Sequence, residues 1–79
     1  MSVIVYTTPT CPFCKMAKDY FEENKIEFVE KDISVDREAA NEMIEKSGQM
    51  GVPVIDINGK IIVGFVPDEI KKALDSSGG

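Results

Sequence analysis

Apolar and polar residues alternate along this chain in two rhythms, and the changes between them predict seven elements. Val3-Ile4-Val5-Tyr6 is an unbroken, β-branched apolar run, the pattern of a strand covered on both faces and therefore central in its sheet. Thr7-Thr8-Pro9-Thr10 breaks it with turn-forming residues. From Pro12 onward Phe13, Met16, Ala17, Tyr20 and Phe21 recur at helical spacing, with Lys15, Lys18, Asp19, Glu22 and Glu23 opposite them. A first helix is expected to run to about Lys25. Ile26 to Ile33 carries Ile26, Phe28 and Ile33 around a polar stretch, predicting a second strand with at least one solvated side, parallel to the first through a right-handed crossover.

Ser34 to Gly48 reads as the second helix, with Ser34 or Asp36 as its cap, Ala39, Ala40, Met43 and Ile44 as its apolar stripe, and Gly48 at its end. Val52-Pro53-Val54-Ile55-Asp56-Ile57 and Lys60-Ile61-Ile62-Val63 flank Asn58-Gly59, a strong hairpin signal because both turn residues accept positive φ. They are expected to be antiparallel strands three and four. Gly64 to Asp68 leads into a last helix with Ile70, Ala73 and Leu74 inward, and Ser76 to Gly79 is expected to fray. The predicted order is β-α-β-α-β-β-α, without internal repeat or linker.

Composition narrows what such a chain can be. Seventy-nine residues allow one domain, spanning 1–79, near the size at which a single core suffices only marginally. A net charge of −5 with no basic cluster offers no footprint for nucleic acid or an anionic membrane. There is neither a signal-peptide pattern nor an apolar run of membrane-spanning length, so the expectation is a soluble, unprocessed monomer. The two cysteines, Cys11 and Cys14, close too small a loop to staple a secreted scaffold, which points to a reducing cytoplasm.

Those cysteines carry the chemistry. Thr10-Cys11-Pro12-Phe13-Cys14-Lys15 falls where the first strand gives way to the first helix, the context in which C-x-x-C suggests a redox site. Proline suits the first helical position, which makes Cys11 the N-cap. Its sulfur then occupies the place of a capping oxygen, where free amides and the positive end of the helix dipole favour thiolate. Cys11 is the expected nucleophile and Cys14, pointing further into the turn, the expected resolving thiol. A zinc site would need four ligands, and the chain has no histidine and no third cysteine. Lys15 and Lys18 read as solvated helix residues with a minor part in tuning the thiols.

The element order, the position of C-x-x-C and the proline opening strand three together resemble a minimal thioredoxin fold, an α/β architecture with a four-stranded mixed sheet and helices on both faces. Cys11-Pro12-Phe13-Cys14 is one aromatic substitution from the Cys-Pro-Tyr-Cys of dithiol glutaredoxins, Gly51-Val52-Pro53 is similar to their Thr-Val-Pro, and Gly64 and Asp68 match the spacing ahead of their last helix. The resemblance implies a cis Val52-Pro53 bond beside Cys11, with the Val52 backbone pairing with an incoming disulfide, and Pro12, Phe13, Val52 and Pro53 as supports of the active site. It also implies glutathione or substrate contacts at Thr8, Gln49, Met50, Val52, Gly64, Phe65 and Asp68.

Departures from that pattern concern the electron donor. Many glutathione-using relatives carry lysine, arginine and a second glycine where this chain has Thr8, Met50 and Phe65. Gly64-Phe65-Val66-Pro67-Asp68 resembles instead the Gly-Phe-x-Pro-Asp of redoxins reduced by thioredoxin reductase. The expectation is a disulfide reductase acting on protein disulfides, and on glutathione mixed disulfides, in electron transfer and redox homeostasis. It needs no bound metal or organic cofactor, with glutathione, or thioredoxin reductase with NADPH, as donor. The competing expectation is a dimeric module bridged by a metal or an iron-sulfur cluster.

Overall fold

In the computed structural model, which describes residues 2–77, the elements follow in the expected order: β1 (Val3–Thr7), α1 (Pro12–Glu23), β2 (Val29–Asp32), α2 (Arg37–Ser47), β3 (Val54–Ile57), β4 (Lys60–Val63) and α3 (Pro67–Ser77). The sheet runs β2-β1-β3-β4, with β1 and β2 parallel and the other neighbours antiparallel. Val3–Thr7 is central, as its apolar run requires.

Strand alternation divides the core into two layers. Val3 and Val5 of β1 with Ile55 and Ile57 of β3 face Ala17, Phe21, Ile70 and Ala73 of α1 and α3. Tyr6 and Val54 point the other way, against Ala39 and Met43 of α2. Complete burial of a side chain such as Phe21 stabilises by roughly 1.5–3 kcal/mol. Covering both sheet faces is what lets a chain this short hold a rigid platform for a loop.

Several boundaries differ from the pattern-based expectation, each for a local reason. The first strand includes Thr7, whose carbonyl accepts the Ile33 amide at 3.0 Å. α1 stops at Glu23, because Lys25 turns to φ 57° and the chain closes with the Ile26 amide on the Phe21 carbonyl at 2.8 Å. The second strand is only Val29–Asp32. Ile26 and Phe28 pack on the core from the preceding connection, so their hydrophobicity reflects burial without strand pairing. Asp36 caps α2 by accepting the Ala39 amide at 3.1 Å, while Ser34 is held by Asp32. β3 begins at Val54, after the Val52-Pro53 bond, which is cis. α3 continues through Ser76 and Ser77; the remainder of the expected fraying, at Gly78 and Gly79, lies outside the described residues. Asn58 and Gly59, at φ 50° and 94°, make the predicted hairpin turn.

Candidate active site

The C-terminal end of β1 delivers the chain to Thr8, whose carbonyl accepts the Cys11 amide at 3.4 Å and so folds the loop back to start α1. Cys11 is the N-cap, at φ −94° and ψ 110°, and Pro12 occupies the first turn. The Cys11 sulfur accepts the backbone N–H of Cys14 at 3.1 Å, as a serine or aspartate oxygen would at a helix start. It is half-buried and reachable from solvent, whereas Cys14 is only 1% exposed.

That difference in burial separates the two thiols chemically. Burial, then the hydrogen bond with Cys11, pushes the Cys14 thiol up to about 12, while a backbone contact from Thr8 and the charge of Lys18 act the other way. Lys18 is held by Glu30 at 2.8 Å, and the same Glu30 oxygen accepts the Thr7 hydroxyl at 2.8 Å. The ammonium and the carboxylate strengthen each other's charged form, mainly through this hydrogen bond.

The helix face differs from its expected stripe. Cys14, Ala17 and Phe21 point inward, while Phe13 and Met16 are exposed at 58% and 47%. Phe13 instead joins Val52, Pro53, Gly64, Phe65 and Val66 around a groove of about 280 Å³. Gly64, at φ 87°, donates its amide to the Pro53 carbonyl at 2.8 Å and brings the Phe65 segment against the cis-proline loop. Phe65 is steadied by an edge-on contact with Tyr20, their ring centres 6.1 Å apart. The Val52 amide and carbonyl make no backbone hydrogen bond among the described residues. A larger depression, about 580 Å³, lies at the other end of β1 beside Ser2, Ile26 and Phe28, and no cysteine lines it.

The remaining candidates stand outside the groove lining. Thr8 is half-buried in the loop, Met50 is 74% exposed, and Asp68 is exposed in the first turn of α3. Gln49 folds onto its own loop, its amide oxygen accepting from the Gly51 amide at 2.6 Å and its amide nitrogen donating to the Gly51 carbonyl at 3.0 Å. Val66 and the Lys18-Glu30 pair were missed by sequence reasoning. Only the Gly64 turn and the approach of β2 to α1 assemble them, and no local pattern marks either. Among the described residues no group of three or more His, Cys, Asp or Glu side chains gathers to hold a metal ion, and nothing in them supports the cluster-bridged alternative.

Comparison with known proteins agrees with this geometry. The family model described as Glutaredoxin matches residues 3–62. A glutaredoxin-like 8.6 kDa protein from the rubredoxin operon of Clostridium pasteurianum is 46% identical over 71 residues, covering 90% of this chain and 95% of that protein. Glutaredoxin 3 of Escherichia coli is 37% identical over 78 residues, covering 99% and 90% respectively. Among solved structures, the glutaredoxin-like protein NrdH-redoxin of Escherichia coli, described as having a thioredoxin-like activity profile, superposes with a TM-score of 0.82 at 26% identity, over 91% of this chain and 93% of that one.

Proposed function

The chain belongs to the glutaredoxin family, and from that membership we propose that it is a protein disulfide reductase that works through both cysteines. Thiol-disulfide oxidoreductase chemistry comes with the family. The observation that carries the finer reading is the asymmetry of the pair: the Cys11 sulfur is reachable and accepts the Cys14 amide at 3.1 Å, while Cys14 is buried behind it. A thiolate at the N-cap attacks one sulfur of the substrate disulfide. The new bond joins it to Cys11, and the other substrate sulfur leaves as thiolate. Cys14 then gives its proton to solvent and attacks the Cys11 sulfur. The Cys11–Cys14 disulfide forms, the second substrate thiolate departs, and two electrons have passed from protein to substrate. The groove between Phe13 and Phe65 receives the apolar side chains beside that disulfide, and the unpaired Val52 backbone receives its main chain.

For the return of electrons, thioredoxin reductase with NADPH is the better donor. Thr8 and Met50 supply no cations for the carboxylates of glutathione, and Phe13, Phe65 and Val66, with exposed Met50 nearby in the loops, offer an apolar surface to a protein. The likeness to a redoxin with a thioredoxin-like activity profile supports this. A monomer in the reducing cytoplasm, serving electron transfer and redox homeostasis, fits this chemistry. Parallel assays following NADPH oxidation with a protein disulfide as acceptor test the donor: turnover with thioredoxin reductase at least equal to that with glutathione and its reductase is expected. Turnover with glutathione alone overturns the assignment. The Cys14→Ser variant should accumulate the Cys11 mixed disulfide, and free turnover of a protein disulfide by it without glutathione would rule out the dithiol mechanism.

A further inference from the structure

Resolution needs the thiolate of a cysteine that burial keeps protonated. Once Cys11 is in the mixed disulfide it carries no charge, so its like-charge repulsion is gone and burial is the main cause that opposes ionisation of Cys14. Lys18 stands four residues further along α1, and helical side chains lean back over the preceding turn, which here carries Cys14. Its ammonium lies 2.8 Å from Glu30 of β2, and that carboxylate oxygen also accepts the hydroxyl of buried Thr7, the last residue of β1. The cation is thus tied to the strand that runs into the catalytic loop. With side chains 30% and 40% exposed, the pair adds little to stability as a surface ion pair.

We propose that Lys18 is a positioning residue for the resolving step: fastened by Glu30 to the end of β1, its ammonium steadies the negative charge on Cys14 as that sulfur attacks the mixed disulfide. This rests on the dithiol reading above. The groups around the site are few: Cys11 faces Cys14 from the N-cap, Glu22 faces Lys18 from the next turn of α1, and Glu30, with Asp32 behind it, faces the ammonium from β2. β1 contributes uncharged Thr7, and Lys15 is paired outward with Asp19 at 3.3 Å. Lys18 acts against burial on Cys14, and Cys14 in turn favours the charged form of Lys18.

The reduced protein mixed with excess dithiobis(nitrobenzoate) separates the steps. The first thionitrobenzoate is released in proportion to reagent as Cys11 reacts, and the second at a reagent-independent rate as Cys14 displaces it from Cys11. Each pKa unit of help lost costs about tenfold in thiolate, but a less acidic thiol is intrinsically more nucleophilic, so the rate falls about threefold per unit. Lys18→Gln should therefore slow the second phase at neutral pH, by up to about threefold, and leave the first phase unchanged. Lys18→Arg should restore the wild-type profile. Glu30→Gln should speed the second phase at neutral pH, because the ammonium is no longer compensated. A pair that is merely structural would move both glutamine variants in the same direction, and that result, or an unchanged second-phase rate in Lys18→Gln, overturns the proposal. If the glutamine variants do not fold, Lys18→Met, which keeps the aliphatic stem and removes only the charge, should slow the second phase in the same way, and an unchanged rate overturns the proposal too. Absence of a reagent-independent second phase in the wild-type protein would instead speak against the dithiol reading itself.

Discussion

The backbone N–H of Cys14 points at the sulfur of Cys11, 3.1 Å away, so the first turn of α1 serves one cysteine by burying the other. The amide that caps the Cys11 sulfur belongs to the residue whose own thiol is almost wholly buried. Backbone geometry thereby makes the two sulfurs unequal in access, the difference on which the proposed division between attack and resolution rests.

Alkylation should follow that assignment. At pH 7 a thiol pushed up to about 12 is ionised on the order of one part in 10⁵, and Cys14 is 1% exposed besides. Iodoacetamide at neutral pH should modify Cys11 alone, and Cys11→Ser should remain almost unlabelled. Peptide mass spectrometry reads the outcome, and preferential labelling of Cys14 would reverse the roles.

Alkaline pH should destabilise the reduced protein through Cys14. Unfolded, the thiol ionises near its ordinary value of 9.0; folded, it holds its proton up to about 12. Between those values the unfolded state binds fewer protons, so stability falls as pH rises, by roughly 1.4 kcal/mol per unit. Lysines with raised pKa, Lys46 among them, slope the same way, so the comparison is with Cys14→Ser. Denaturant midpoints from pH 9 to 11 should fall more steeply for the reduced wild-type protein than for the variant, and parallel curves would contradict the burial argument.

Thr8→Lys combined with Met50→Arg should make glutathione a better donor. Two charge-assisted contacts, one at half-buried Thr8 and one at exposed Met50, contribute about 0.5–1 kcal/mol each, so the KM for glutathione should fall about five- to thirtyfold. Initial rates over a glutathione series measure it. An unchanged KM would mean that the missing cations do not limit glutathione use.

On the opposite face of the sheet, Lys46 of α2 donates to Asp56 at 2.7 Å and to the hydroxyl of fully buried Tyr6 at 2.9 Å, and Asp56 also accepts the Gly59 amide at 2.8 Å. Asp56→Ala strips Lys46 of its main partner and leaves the hairpin amide unpaired. Because the Lys46 side chain is 33% exposed, the loss should be about 2 kcal/mol, below that for a fully buried pair. The urea midpoint should drop with an unchanged slope, while Cys11 alkylation stays the same. A loss under about 0.5 kcal/mol would mark the network as dispensable.

Local rules determined what the sequence alone could reveal. Helix periodicity, the Asn58-Gly59 turn, Gly48 as a helix stop and Cys11-Pro12 at a helix start each depend on neighbours within a few residues, and all are present in the fold. The cis Val52-Pro53 bond was legible only through family resemblance, since a proline at that point also suits an ordinary strand edge. Tertiary contacts decided the rest. Met16 shares the helical spacing of core residues, yet it is exposed because the sheet meets the Cys14-Ala17-Phe21 face, and the same packing leaves Phe13, whose place between the cysteines suited a core or a docking surface equally, on the outside. Lys18 and Lys46 look like solvated helix lysines until β2 and β3 bring Glu30 and Asp56 to them, across 12 and 10 residues of chain. Periodicity reports which positions are apolar, but only the packing of one element on another selects the face that is buried and the charges that meet.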